Sequence, residues 1–183
     1  MANNSIGLIE LSSIASGFST TDAMLKAANV EIVLARTICS GKYMVMVRGD
    51  TGSIQAAVAA GIHAGGFGVI DSFVIPNIHE SVFPAIGGTA QVATLEALGV
   101  VESFSVASLI EGADAALKAA NVELIEVRLA MALGGKAFFT LTGNVAAVQS
   151  AVEAAAQVVG QKGMLVNKVV IPSPRPELLS GII

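Results

Sequence analysis

The side chain of Cys39 offers the most distinctive chemistry in this sequence, because it is the only thiol among 183 residues. It lies in Cys39-Ser40-Gly41-Lys42, a segment between two runs rich in β-branched and apolar residues, which predicts a tight turn between strands. A single cysteine is most often a small buried hydrophobe. The neighbouring Ser40 and Gly41 favour a more exposed position, where a thiolate can bind a metal ion.

The other side chains with catalytic or ligating groups form no complete site. His63 and His79 have no second histidine or carboxylate at metal-ligand spacing, so we expect structural roles for both. Glu10 and Glu102 occupy matching positions in two similar stretches, which favours a role in folding or assembly over catalysis. The sequence has neither a nucleophile elbow nor a Walker loop, and no enzyme activity is expected.

The composition excludes several classes of protein. Hydrophobic residues make up 54% and charged residues only 13%, which excludes a disordered chain. A net charge of −4 and the absence of tryptophan argue against a nucleic-acid partner. No run reaches 18 apolar residues, so no membrane span is expected, and the apolar excess predicts burial between subunits. The single cysteine and the absence of a secretory signal predict a cytoplasmic protein.

The chain contains two copies of one sequence pattern. A shift of 92 positions aligns residues 6–36 (copy one) with residues 98–128 (copy two) and superimposes two LKAANVE segments. The copies then diverge, since residues 37–42 correspond to the longer segment 129–136. We expect a first domain at residues 5–80, a connector at 81–97 and a second domain at 98–176.

Each copy predicts the same order of elements. In copy one we expect strands at residues 6–14, 31–38, 43–48 and 69–75, a helix from about Thr20 to Lys26, and another after Asp50. Asn29 is expected to end the first helix in a left-handed conformation. The corresponding last helix of copy two begins after Asn144 and has an apolar stripe, namely Val148, Ala151, Val152, Ala155 and Val159. The β-α-β-β-α-β order predicts an α+β, ferredoxin-like fold in tandem.

Four segments together resemble the bacterial microcompartment shell domain. They are Gly7-x-x-Glu10, Asp22-x-x-x-Lys26-Ala27-Ala28-x-Val30, Arg48-Gly49-Asp50 and Ile75-Pro76. The resemblance covers both copies in unpermuted order, and it is strongest to the iron–sulfur branch of the tandem-domain shell proteins, found in propanediol-utilisation compartments. It implies a flat pseudohexagonal homotrimer in a microcompartment shell, tiled with other shell proteins and serving as a structural element.

The resemblance also implies that the turn of each domain points at the central axis of the ring. The pore-lining residues would then be Ile38, Ser40, Gly41, Met131, Ala132, Leu133, Gly134 and Gly135. Three Cys39 thiolates around the axis would bind a [4Fe–4S] cluster, with backbone N–H groups near Ser40 and Gly41 donating to the sulfurs. An encapsulated redox enzyme would be its electron partner. A three-cysteine zinc site is the chemical alternative.

Assembly contacts follow from the same resemblance. Lys26 and Lys118 are expected at the tile edge, where they meet neighbouring tiles. The family usually has an arginine directly after Ile-Pro, but this sequence has Asn77 and Ser173 there, so Arg175 is the candidate replacement. Two functions remain open at this stage: a shell tile with an axial redox cluster, and a plain tile or gated metabolite pore.

Overall fold

The computed structural model describes residues 4–175 and 177–178. The elements of copy one are β1 (Ser5–Leu11), α1 (Ile14–Ala27), β2 (Glu31–Ile38), β3 (Lys42–Gly49), α2 (Thr51–Gly65) and β4 (Val69–Ile75). A short α3 (Val82–Ile86) follows. The elements of copy two are β5 (Ala97–Ser103), α4 (Val106–Ala119), β6 (Glu123–Arg128), β7 (Ala137–Gly143), α5 (Val145–Gln161) and β8 (Leu165–Pro172).

Each copy forms one four-stranded antiparallel sheet. The strand orders are β2-β3-β1-β4 and β6-β7-β5-β8, so the two copies share one topology. Glu10 pairs with Asp71 across β1 and β4, and Glu102 pairs with Asn167 across β5 and β8. The register shifts directly after each glutamate. The predicted α+β fold and its element order are therefore confirmed.

The helices pack on the sheet through small residues. A Cβ atom on Gly7 of β1 would lie 2.4 Å from Cγ2 of Val58, and one on Gly99 of β5 would lie 2.7 Å from Cγ2 of Val152. The missing side chain lets α2 and α5 approach the central strands closely, which is the physical reason for the repeated glycine. One cluster of the buried core of copy one comprises Ile9, Leu11, Met24, Tyr43, Val45, Val47, Ile54, Ala57 and Val58.

The first helix differs from its prediction at both ends. It begins at Ile14, because the Ser13 side chain accepts a hydrogen bond from the Ser16 N–H and caps the helix. The strand predicted at residues 6–14 therefore ends earlier, at Leu11. It ends without a left-handed residue: Ala28 is extended and leads the chain directly into β2. The predicted role of Asn29 was therefore wrong.

The second helix of each copy agrees with the prediction. Asp50 accepts a hydrogen bond from the Ser53 N–H, and Asn144 accepts one from the Ala147 N–H, so both cap their helices as expected. The predicted stripe of α5, from Val148 to Val159, is buried. The connector contains α3, an element that no local sequence pattern predicted.

Contacts divide the chain into two compact units. Of the described residues, the first unit comprises 4–78, 105–108 and 130–136, and the second comprises 79–104, 109–129, 137–175 and 177–178. This division follows contacts instead of sequence copies, so the domain boundaries at 5–80, 81–97 and 98–176 stay predictions. Pro176, the last residue of the predicted second domain, lies outside the described residues.

Candidate functional site

Cys39 lies in a tight turn between β2 and β3. Ile38 ends β2 as a buried side chain, and residues Cys39–Gly41 form the reversal before Lys42 begins β3. Ser40 and Gly41 have left-handed φ values of 66° and 70°, which reverse the chain. Cys39 is half-buried and unbonded to another cysteine. The predicted turn is confirmed, and the thiol lies at its tip instead of in the core.

Residues 130–136, which belong to the same compact unit, contact this turn. The Cys39 N–H donates to the carbonyl oxygen of Ala130 at 2.7 Å. The Ala132 N–H donates to Sγ of Cys39 at 2.8 Å. The thiol therefore accepts a backbone hydrogen bond from the loop of copy two, and donation to cluster sulfurs by N–H groups near Ser40 and Gly41 stays a prediction.

These amides favour the ionised thiol. A backbone hydrogen bond from Leu133 lowers the pKa of the Cys39 thiol most, and Ala132, Gly135 and Gly134 add to the effect, while partial burial opposes it. A thiolate is the form of cysteine that binds metal ions and attacks electrophiles. The lowered pKa thus favours the form of the sulfur that a metal ion or cluster needs.

The loop of copy two has an unusual backbone. Ala130, Ala132, Gly134 and Gly135 all have positive φ, at 46°, 59°, 62° and 86°. A Cβ atom on Gly135 would lie 3.0 Å from Oγ of Ser40, so a larger residue there would press on the cysteine turn. The two turns differ in length and conformation, which confirms the expected inequality of the copies.

A network of buried polar groups lies near the turn, and the side chain of Lys42 connects to it. Glu10 on β1 is fully buried, and its Oε1 accepts a hydrogen bond from Nζ of Lys42 at 2.9 Å. Its Oε2 accepts the Val106 N–H at 2.9 Å and lies 3.0 Å from Oγ of Ser105. Asp71 Oδ2 accepts from the hydroxyl groups of Ser105 and Ser108, at 2.6 and 2.5 Å. Glu10 is thus engaged in structural bonds.

Sequence reasoning missed Asp71, Ser105 and Ser108 as members of this network. Asp71 and Glu10 are far apart in the chain and meet only through the pairing of β4 with β1. One local signal was available, since a Ser-x-x-Ser pattern precedes the first helix of both copies, at Ser13 and Ser105. The hydroxyl at the start of such a pattern caps a helix N-terminus.

The predicted edge residues lie at the surface but differ in environment. Nζ of Lys26 contacts Asp22 Oδ2 at 2.6 Å, with both side chains exposed. Nζ of Lys118 contacts Asp114 Oδ2 at 2.5 Å, and this carboxylate is only 9% exposed and also accepts the His79 N–H. Arg175 is exposed. The tile-edge role of these residues stays a prediction.

The predicted pore-lining residues fall into two groups. Ser40, Gly41, Met131, Ala132 and Gly134 are exposed. Ile38 and Gly135 are buried, and Leu133 is half-buried. His63 is exposed, and Nδ1 of His79 accepts the Ser81 N–H. Within residues 4–175 and 177–178, no three histidine, cysteine or acidic residues are grouped so as to hold a metal ion.

Comparison with known proteins identifies the family. The BMC domain model matches residues 5–78 and 97–174, which is most of the chain. The chain belongs to the bacterial microcompartment shell proteins. A shell protein of Citrobacter freundii, "Bacterial microcompartment shell protein PduT", is 46% identical over 176 residues, covering 96% of both chains.

Solved structures of shell proteins have the same fold. A microcompartment protein from Desulfitobacterium hafniense is 47% identical, with a TM-score of 0.86 over 98% of this chain and 99% of that one. A fused permuted hexameric shell protein of the RMM microcompartment is 22% identical, with a TM-score of 0.67 over 86% of this chain and 84% of that one, and it supports the fold alone.

Membership of the shell proteins settles the general role of the chain. It is a structural component of a microcompartment shell and not an enzyme, and proteins of this family assemble with other shell proteins. None of the helices in the described part of the chain is long and apolar enough to span a membrane.

Proposed function

We propose that this shell protein forms a homotrimeric, pseudohexagonal tile whose central axis binds a [4Fe–4S] cluster through Cys39 of three chains. The tile would pass electrons, or the cluster itself, across the shell, with an encapsulated redox enzyme as partner. The observation that carries the proposal is the thiol of Cys39, which accepts a hydrogen bond from the Ala132 N–H at the exposed tip of a turn.

The residues present fit an iron–sulfur cluster only if several chains contribute. Each chain has one thiol, and its described residues contain no group of three ligands, so the remaining thiolates must come from other copies. Three thiolates ligate three irons of a [4Fe–4S] cluster and leave the fourth for water or a small ligand. When bound, the cluster supplies one-electron redox chemistry. The chain supplies the sulfur and the N–H donors that lower its pKa.

The test is iron and sulfide analysis, with visible and electron-spin spectra, on protein reconstituted without oxygen. We expect about four irons per trimer in the wild type and none in Cys39→Ser, because one substitution removes all three protein ligands. Met131→Ala is the matched control: it changes an exposed side chain of the other turn, contributes no thiolate and should leave iron content unchanged.

Two other results would redirect the proposal. Zinc in place of iron, with no visible absorption, would indicate the three-cysteine zinc site. Equal, negligible metal in the wild type and Cys39→Ser would leave a plain tile or metabolite pore. Light scattering should give about 55 kDa, three times the 18.5 kDa of the chain, for the wild type and for Cys39→Ser.

A further inference from the structure

Two carboxylates hold the N-terminus of α4 within the first compact unit. Glu10 accepts the Val106 N–H at 2.9 Å, and Asp71, its partner across the sheet, accepts the hydroxyl groups of Ser105 and Ser108. Negative groups are stabilised at a helix N-terminus, where the first N–H groups lack partners within the helix. The contact therefore joins an acidic pair on a sheet to a serine-capped helix start.

Both halves of this contact occur again in the chain. Glu102 pairs with Asn167 across β5 and β8 as Glu10 pairs with Asp71, and both glutamates precede a register shift. Ser13, Ile14 and Ser16 correspond to Ser105, Val106 and Ser108. Ser13 accepts the Ser16 N–H at 3.3 Å, and Ser105 accepts the Ser108 N–H at 3.1 Å, so both helices begin with the same cap.

The two helices differ in how their matching apolar residues are covered. On α4, Val106, Ile110 and Leu117 are 0%, 0% and 9% exposed. Their counterparts on α1, Ile14, Phe18 and Leu25, are 39%, 65% and 41% exposed. The same positions thus form a covered surface in copy two and an uncovered apolar surface in copy one. Exposed apolar surfaces of this kind mark association sites.

We propose that Glu102 of one chain accepts the Ile14 N–H and the Ser13 hydroxyl of a second copy of this chain, and that this contact covers the apolar face of α1. The inference rests on the proposed trimer and assigns its inter-chain surface. Glu102 belongs to copy two and α1 to copy one, so the interface joins two different surfaces and is heterologous. Such an interface gives a closed trimer when each chain is rotated by a third of a turn from the next. Asn167, in the place of Asp71, offers its amide oxygen to a serine hydroxyl.

Cross-linking tests the pairing directly. In a Cys39→Ser chain, Ser13→Cys and Glu102→Cys are combined and treated with a short bismaleimide. We expect covalent dimers and trimers on a denaturing gel. The matched control combines Glu10→Cys with Ser105→Cys, the equivalent positions that contact each other within one chain, and should stay at monomer mass. Trimers in native light scattering that give no inter-chain cross-link in the first variant would overturn the inference.

A second measurement begins with the apolar face of α1. Phe18→Glu places a charge on the α1 face and should raise the concentration at which trimers dissociate by tenfold or more. Phe67→Glu is the control, because Phe67 is fully exposed outside that face and should leave the trimer intact. A monomeric wild type would refute the proposed trimer. A trimeric wild type whose mass resists both Phe18→Glu and Glu102→Ala would place the interface elsewhere.

Discussion

The backbone N–H of Ala132 lies 2.8 Å from Sγ of Cys39, although the two residues are 93 positions apart. The two residues belong to equivalent turns of the two copies. The sulfur therefore has a donor that is part of the main chain, and side-chain substitutions in the loop leave it in place unless they disturb the backbone.

Removing this donor should raise the pKa of the thiol. Ala132→Pro removes the N–H group and, because proline cannot adopt the φ of 59°, also displaces the neighbouring donors of the loop, whereas Ala132→Gly keeps the N–H group and the φ. The measurement is the rate at which iodoacetamide alkylates the metal-free protein as a function of pH. This rate should begin to rise at a lower pH in the wild type and Ala132→Gly than in Ala132→Pro. Cys39→Ser gives the blank.

The lowered pKa of Cys39 also determines the direction in which the free energy of unfolding changes with pH. Because hydrogen bonds from the loop lower the pKa of folded Cys39, the ionised thiol stabilises the fold most above its unfolded pKa, and this contribution is lost as pH falls through the folded value. Identical alkylation profiles for Ala132→Pro and the wild type would show that the loop does not set the ionisation of Cys39.

Reversing the charge of Lys26 should affect assembly between tiles more than the tile itself. Lys26 and its partner Asp22 are exposed, so Lys26→Asp should leave the trimer mass unchanged. Tile edges repeat across an array, so small losses accumulate and sheets seen by electron microscopy should become smaller or fewer. Lys168→Asp makes the same charge change at a residue paired with Glu153 and serves as the control. Sheets of equal extent in both variants would remove Lys26 from the edge.

Asp114 and Asp22 occupy matching positions but should differ in their contribution to stability. Asp114→Ala leaves the His79 N–H without its carboxylate acceptor and should cost about 1–3 kcal/mol of unfolding free energy. Asp22→Ala breaks an exposed ion pair and should cost less than about 0.5 kcal/mol. Urea unfolding of the two variants measures the difference, and equal losses would contradict this assignment.

Gly7 and Gly160 should respond to alanine in opposite directions. Gly7→Ala places a Cβ atom 2.4 Å from Val58 and 2.9 Å from Ile54, and such overpacking costs about 1–3 kcal/mol. Gly160→Ala meets nothing within 4 Å on α5, and removal of a helical glycine gains about 0.5–1 kcal/mol. Thermal unfolding should therefore give a lower Tm for the first variant and a higher Tm for the second.

The element order and much of the site could be predicted because they depend on local patterns. The repeated segments, the helix caps at Asp50 and Asn144 and the turn at Cys39 all follow from residue types at short spacing. The early start of α1 was missed because Ser13 caps it about two turns before the predicted start at Thr20. The partners of Cys39 and Glu10 were missed because long-range backbone contacts leave no trace in local spacing.

Because the domain is duplicated, one turn of the chain provides the thiol and the other provides the amide donors. A ring built from a single-domain chain would need one turn to provide both. If six identical subunits surrounded an axis, all six turns would have the same sequence. Each cysteine turn would then lie next to another cysteine turn. Here Cys39 provides the thiol and residues 132–135 provide the amides. Each turn is therefore free to diverge for its own task, and mutations that suit the amide donors need not suit the thiol.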